Sequence, residues 1–114
     1  MQKDRLDVPV VMIVFNRPDT TRRVFEQVRM VKPSKIYVVS DAPREYRNGE
    51  KEKVTEVRQY IETHIDWECE KQFVYADENM GCQNRVASGL DFVFQREEEA
   101  IILEDDCVPS MDFF

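Results

Sequence analysis

The chain has 114 residues and a formal net charge of −7, and 34% of its residues are charged against 42% that are hydrophobic. A chain of this length fits one domain, and its apolar residues occur in blocks, which argues against intrinsic disorder. The acidic balance argues against a nucleic-acid-binding protein, which normally presents a basic face, although a nucleotide can still be bound through a divalent cation.

Three features of the sequence predict a cytoplasmic protein without a membrane span. Residues 1–7 are polar and charged, unlike a secretory signal. The longest apolar run, residues 8–15, is far too short to cross a bilayer. Cys69, Cys82 and Cys107 are odd in number and lack zinc-type spacing, which is typical of reduced thiols.

Strands and helices are predicted to alternate along the chain. Residues 8–15 are continuously apolar, which indicates a strand covered on both faces, and further strands are predicted at 35–40, 71–76 and 100–103. The expected core positions of the three intervening helices are Val24, Phe25, Val28 and Val31; Val54, Val57, Ile61 and Ile65; and Val86, Leu90, Val93 and Phe94. This alternation predicts a Rossmann-like α/β fold, a parallel sheet with helices on both faces.

Several smaller features complete this pattern. Asp19 or Thr20 is expected to cap the first helix. Residues 44–53 are polar and contain Asn48-Gly49, so we expect a loop whose basic residues are solvated. These basic residues are Arg44, Arg47, Lys51 and Lys53. Trp67 and Tyr75 are predicted to be packing residues rather than platforms on which a ligand stacks.

Polar residues follow every predicted strand. They are Asn16-Arg17, Ser40-Asp41, Asp77-Glu78-Asn79 and Glu104-Asp105-Asp106. In open α/β sheets, ligands bind beyond the carboxyl ends of the strands. The last group has the strongest signal, because three adjacent carboxylates repel one another unless a cation neutralises them. Their hard oxygen ligands suit Mn²⁺ or Mg²⁺, with substrate phosphates completing the shell. A solvated acidic turn remains the alternative.

The sequence resembles the amino-terminal half of GT-A-fold glycosyltransferases, especially the N-acetylglucosaminyltransferase I-like group. Three segments carry this resemblance: residues 8–18, the Asn79-Met80-Gly81 segment, and residues 101–114, which read IILEDDCVPSMDFF. The resemblance implies the strand order 3-2-1-4. It also implies metal-dependent, inverting transfer of a sugar from a nucleoside-diphosphate-sugar donor, such as a UDP-sugar, to the hydroxyl of a glycan or other acceptor.

The resemblance also assigns roles to individual residues. Asp106 is implied to bind the metal directly, Glu104 to act on it through water, and Asp105 to hold ribose or sugar hydroxyls. Phe15, Asn16 and Arg17 are implied to line the nucleotide pocket, Asp41 to contact the base or ribose, and Asn79, Gly81 and Arg85 to lie near the diphosphate. The catalytic base is expected beyond Phe114, since the chain ends where another helix should begin. We therefore interpret this chain as part of a longer catalytic domain. We expect the chain by itself to be inactive and to self-associate through its fourth strand.

Three other functions stay open at this point. A receiver-like signalling domain would carry an acid pair after the first strand, where this chain has Asn16-Arg17. A nucleotidyltransferase would favour a glycine-rich basic loop at the same place. A non-catalytic α/β interaction module would leave the Glu104-Asp105-Asp106 cluster as a solvated turn. Binding of a nucleotide-sugar in the presence of manganese would separate the transferase from the interaction module.

Overall fold

Strands and helices alternate in the computed structural model, which describes residues 8–104. The strands are β1 (Val10–Val14), β2 (Lys35–Ser40), β3 (Glu70–Tyr75) and β4 (Ile101–Glu104). The helices are α1 (Pro18–Val31), α2 (Glu50–His64) and α3 (Cys82–Phe94). This order confirms the predicted α/β class. Asp105 and Asp106, which include the predicted metal ligand, lie outside the described residues.

The four strands form one parallel sheet in the order β3-β2-β1-β4, which confirms the predicted order. Within it, Met12 of β1 pairs with Val38 of β2 on one side and with Leu103 of β4 on the other. Strand β1 is therefore covered by a neighbour on both edges. The position also explains its continuous apolar sequence, since a strand inside a parallel sheet is buried on both faces.

Helices cover both faces of the sheet, as predicted. On one face, Val10, Met12 and Val14 of β1 belong to a core that includes α1 and α2 residues such as Val24 and Val57. On the other face, Val11 of β1 joins a smaller core with Tyr37, Val39 and Val93, so α3 packs there. Successive side chains of a strand point to opposite faces, which is how β1 serves both cores.

The two predicted packing aromatics both contact the larger core. Trp67 is buried, and its indole N–H donates a hydrogen bond of 2.8 Å to the carbonyl oxygen of Pro33. Tyr75 is partly buried against the same cluster. None of the helices within residues 8–104 is both long and apolar enough to cross a membrane.

Three local predictions were wrong. Helix α1 has no side-chain cap from Asp19 or Thr20, because it begins at Pro18, whose fixed φ and missing N–H suit a first helical position. Residues 44–53 are not one loop, since α2 already begins at Glu50. Phe94 is 45% exposed rather than packed, because it lies about 100° around the helix from the buried Val93.

Helix α3 approaches the sheet closely at Gly89. A Cβ atom at this position would lie 2.5 Å from Cγ1 and 3.0 Å from Cγ2 of the buried Val39 on β2. Gly89→Ala should therefore lower the free energy of unfolding by ~1 kcal/mol, because an overpacking cost of ~1–3 kcal/mol outweighs the ~1 kcal/mol of helix propensity that alanine adds. Urea denaturation measures this difference.

The exposed Ala87 in the same helix supplies the control. Ala87→Gly replaces alanine by glycine at an exposed position without a steric clash. The resulting change in the free energy of unfolding therefore measures the difference in helix propensity between the two residues in α3. If Gly89→Ala stabilised the protein by the amount that Ala87→Gly costs, the close contact with Val39 would have no energetic consequence.

Candidate functional site

A cavity of about 130 Å³ lies at the carboxyl ends of β1 and β2, beside the amino end of α3. It is lined by Ile13, Val14, Phe15, Asp41, Arg44, Asn79, Gly81, Arg85 and Val86. Residues from four separate parts of the sequence thus converge here, and five of them, Phe15, Asp41, Asn79, Gly81 and Arg85, are site residues predicted above. We call this space the strand-end cavity.

Arg85 gives the strand-end cavity a positive charge that has no ion-pair partner among the described residues. The residue is in the first turn of α3, and its side chain is only 8% exposed. Within residues 8–104 the guanidinium forms no ion pair, and its buried Nε has no hydrogen-bond partner. An arginine stays charged, and a buried charge without a partner costs several kcal/mol. The arrangement therefore favours an anionic ligand.

The amino end of α3 adds to this preference. Gly81 precedes the helix with φ of 86°, a conformation that favours glycine, and offers no side-chain cap. The first N–H groups of a helix point away from it and carry a partial positive charge. Since Arg85 and Gly81 line the same cavity, the helix end and the guanidinium act on the same space.

Asp41 holds the loop before α3 against the end of β2. Its Oδ1 accepts hydrogen bonds from the backbone N–H of Ala42 at 2.8 Å and of Met80 at 2.9 Å. Its Oδ2 accepts from the N–H of Gly81 at 3.1 Å and from Nδ2 of Asn79 at 3.2 Å. A carboxylate has about four lone-pair positions, so these internal donors occupy them. The buried Asp41 carboxylate therefore orders the wall of the strand-end cavity.

A second carboxylate, Glu50, joins two segments next to the cavity. Its Oε1 accepts hydrogen bonds from the backbone N–H of Arg44 at 2.8 Å and from Arg44 Nε at 2.9 Å. Its Oε2 accepts from Arg44 Nη2 at 2.6 Å and from Asn16 Nδ2 at 2.9 Å. We call Glu50, Arg44 and Asn16 the Glu50 clasp. Hydrogen bonds from the Arg44 side chain lower the pKa of Glu50 to about 2.

The Glu50 clasp corrects the prediction for Arg44. This residue is not a solvated loop cation, because its side chain is 29% exposed and forms an ion pair with the buried Glu50. Its guanidinium also lies over the ring of Phe15, 5.6 Å from the centroid, which is within the range of a cation–π contact. The remaining predicted loop cations, Arg47, Lys51 and Lys53, are exposed.

The end of β2 has one further support that the sequence did not indicate. Arg58 of α2 donates to Ser40 Oγ at 3.0 Å and to the carbonyl oxygen of Asp41 at 2.9 Å. Its guanidinium lies 4.3 Å from the centroid of the Tyr75 ring, and burial lowers its pKa. Arg58 thus connects α2, β2 and β3 behind the strand-end cavity.

Three other predicted site residues, Asn16, Arg17 and Glu104, do not line the cavity. Asn16 is held in the Glu50 clasp, and Arg17 is exposed at the start of α1. Glu104 is the last residue of β4, where it pairs with Ile13 of β1, and Ile13 lines the cavity. The acidic segment therefore starts on the strand next to the cavity wall. Within residues 8–104 no group of three or more metal-ligating side chains is present.

The comparisons with known proteins are negative: no family model matches the sequence, and neither a curated protein nor a solved structure matches the chain.

Proposed function

We propose that this chain is the donor-binding part of a metal-dependent glycosyltransferase, which transfers a sugar from a nucleoside-diphosphate-sugar to an acceptor hydroxyl. One observation carries the proposal: the buried guanidinium of Arg85, which has no ion-pair partner among the described residues, lines a cavity at the carboxyl ends of parallel strands. The resemblance of residues 101–114 to the metal-binding segment of such enzymes supplies the reaction class. A cytoplasmic location, a UDP-sugar donor and a glycan acceptor are part of the same proposal.

The chemistry of the strand-end cavity fits one part of such a donor. Ligand pockets usually measure ~300–1,000 Å³, so a cavity of about 130 Å³ holds a fragment of the molecule rather than the whole. Phosphate oxygens would compensate the charge of Arg85 through charge-assisted hydrogen bonds, and they suit the amino end of α3. The apolar side chains of Ile13, Phe15 and Val86 offer a surface for the neighbouring base or ribose.

The sugar and the metal would then lie towards β4. Glu104 presents an exposed carboxylate at the end of that strand, next to β1, and hard oxygen ligands of this kind fit Mn²⁺ or Mg²⁺. The metal, when bound, would neutralise the charge that develops on the departing nucleoside diphosphate. Asp105 and Asp106 continue this segment in the sequence.

The proposal predicts that nucleotide and metal strengthen each other's binding. One direct carboxylate supplies few of the six ligands that Mn²⁺ prefers, and diphosphate oxygens add more. We therefore expect Mn²⁺ to raise the affinity for uridine diphosphate about tenfold, with the reciprocal effect on the metal. Calorimetry of uridine diphosphate binding with and without Mn²⁺ measures the coupling.

Two substitutions make this test specific. Asp106→Ala should abolish the coupling, whereas Cys107→Ala, at the next position, should leave it intact. Equal affinity of the wild type with and without Mn²⁺, or undiminished coupling in Asp106→Ala, would rule out the proposed metal site. Nucleotide binding without any metal effect would instead support a non-catalytic module.

A further inference from the structure

We propose that Glu50 is a positioning residue for the strand-end cavity: it holds Arg44 over Phe15 and fastens the end of β1 through Asn16. The inference rests on the proposed function, because the ligand of the cavity is taken to be a nucleotide. Nothing in the sequence distinguishes Glu50 from the other acids near the start of α2. Its role follows from what its carboxylate contacts in the folded chain.

The first step is the connectivity of the Glu50 clasp. Asn16 follows β1, Arg44 follows β2, and the carboxylate of Glu50 receives hydrogen bonds from both. The side chain of Glu50 is thereby saturated, since four donors occupy its two oxygens. The Glu50 clasp therefore fixes the relative position of the two strand ends that form the cavity wall.

The second step is the turn that brings Glu50 inward. Gly49 precedes α2 with φ of 80°, a left-handed conformation that favours glycine, and the N–H of Arg47 donates to the carbonyl oxygen of Arg44 at 3.2 Å. This tight turn places Glu50 only 5% exposed, although residues 45–49 around it are exposed. The local backbone is thus arranged to bury one carboxylate beside Arg44.

The third step is that the two arginines of the cavity have different roles. Arg44 is neutralised by Glu50, whereas Arg85 has no ion-pair partner among the described residues. Arg44 therefore serves as a flat wall over Phe15, and Arg85 provides the charge that an anion requires. Glu50 does not line the cavity itself, so it acts on a ligand only through Arg44 and Asn16.

Loss of the Glu50 carboxylate should lower the fraction of molecules in which Arg44 lies over Phe15 and the cavity has its binding geometry. Arg44 also borders a wider cleft of about 770 Å³ between the loops that follow β2 and β3. Without the carboxylate of Glu50, the Arg44 side chain is free to turn into this cleft and to leave the ring of Phe15. The apparent affinity then falls by the fraction of molecules that keep the competent geometry.

The test uses Glu50→Gln, which keeps the shape but places an amide where hydrogen-bond donors converge. We expect the dissociation constant for uridine diphosphate, measured by calorimetry at saturating Mn²⁺, to rise about tenfold. The matched control is Glu52→Gln, which makes the same charge change in the same helical turn. Glu52 is exposed and forms no ion pair with the described residues. The Glu52→Gln variant should therefore bind uridine diphosphate as tightly as the wild type.

A double-mutant cycle separates positioning from general destabilisation. If Glu50 acts through Arg44, the variant that combines Arg44→Gln with Glu50→Gln should lose much less affinity than the product of the two single losses, and the small remaining loss belongs to the contact with Asn16. The inference would be overturned if the affinity losses of the two single variants multiplied in the double variant, or if Glu50→Gln bound uridine diphosphate as tightly as the wild type.

A ligand-free measurement distinguishes this inference from the proposed function. Glu50→Gln, but not Glu52→Gln, should shift the NMR signals of the Phe15 ring protons, because Arg44 leaves its place over the ring. Unchanged Phe15 signals would defeat the positioning role even if nucleotide bound. A wild type that binds no nucleotide, combined with shifted Phe15 signals, would defeat the proposed function and leave Glu50 as the residue that positions Arg44.

Discussion

Arg85→Met is expected to make the protein more stable and, at the same time, to remove most of its affinity for uridine diphosphate. Methionine has a similar reach but no charge, and it fits an apolar environment. The wild-type guanidinium is buried, and within residues 8–104 it has no ion-pair partner. Replacement of a buried charged group by a packed apolar one commonly raises the free energy of unfolding, here by ~1–2 kcal/mol.

The affinity should change in the opposite direction. Loss of one partner from a buried charge pair costs ~2–5 kcal/mol, so the dissociation constant should rise at least ~30-fold. Opposite changes in stability and affinity are the signature of a group that is retained for binding and destabilises the free protein. Urea denaturation and calorimetry on the same preparation measure the two effects.

Arg23→Met is the control for this pair of measurements. Arg23 is an exposed arginine of α1 that forms no hydrogen bond or ion pair with the described residues. Its replacement should change neither the affinity nor the free energy of unfolding by more than ~0.5 kcal/mol. A destabilised Arg85→Met variant with full affinity would mean that Arg85 supports the fold and binds no anion.

Most of the fold could be predicted because its determinants are local and periodic. The continuous run in β1 indicated burial on both faces, and the spacing of Val54, Val57 and Ile61 indicated the buried side of α2. The strand order came from the family resemblance rather than from periodicity. Phe94 was misassigned because α3 has apolar residues around much of its circumference. Hydrophobicity alone could not show that Phe92 packs against the smaller core whereas Phe94 is exposed.

The candidate site was predictable only in part. The carboxyl ends of parallel strands meet at one edge of a sheet, so polar residues after the strands were expected to converge there. Asp41 and Arg85 do line one cavity. The donors to Asp41 include backbone N–H groups of Met80 and Gly81, which any residue except proline provides, so the sequence contains no signal for them.

Glu50 was missed for a different reason. It belongs to a charged stretch, residues 44–53, whose composition is typical of a solvated surface. Its burial depends on Asn16, which is 34 positions away in the sequence, and on the backbone conformation of Gly49. Only the folded chain brings these groups together, so composition alone predicted the opposite environment for Glu50 and its partner Arg44.

The stability of the protein should depend on the charge of Glu50 in a defined pH range. In the folded chain, hydrogen bonds from Arg44 lower the pKa of Glu50 from an ordinary value of 4.5 to about 2. A lowered pKa means that the folded state favours the ionised carboxylate. The resulting stabilisation is fully present above pH 4.5 and is lost as the pH falls from 4.5 towards 2.

Glu50→Gln should therefore lower the free energy of unfolding by ~2–3 kcal/mol at pH 7, somewhat less than for a fully buried pair because Arg44 is partly exposed. The difference from the wild type should narrow as the pH falls below 4.5, since a protonated glutamate is as neutral as glutamine. Urea denaturation of both proteins between pH 2 and 7 measures this. Other carboxylates with lowered pKa values, Asp66 and Glu97, are present in both proteins and cancel.

Glu52→Gln completes this experiment, because it removes the same charge from the first turn of α2 without touching the Glu50 clasp. Both acids interact favourably with the amino end of the helix, an effect of ~0.3–1 kcal/mol that Glu52→Gln reports by itself. The additional decrease in the free energy of unfolding of Glu50→Gln is then due to the lost hydrogen bonds with Arg44 and Asn16. A loss that stayed constant down to pH 2 would show that the amide disturbs packing, and that the charge of Glu50 contributes nothing to the fold.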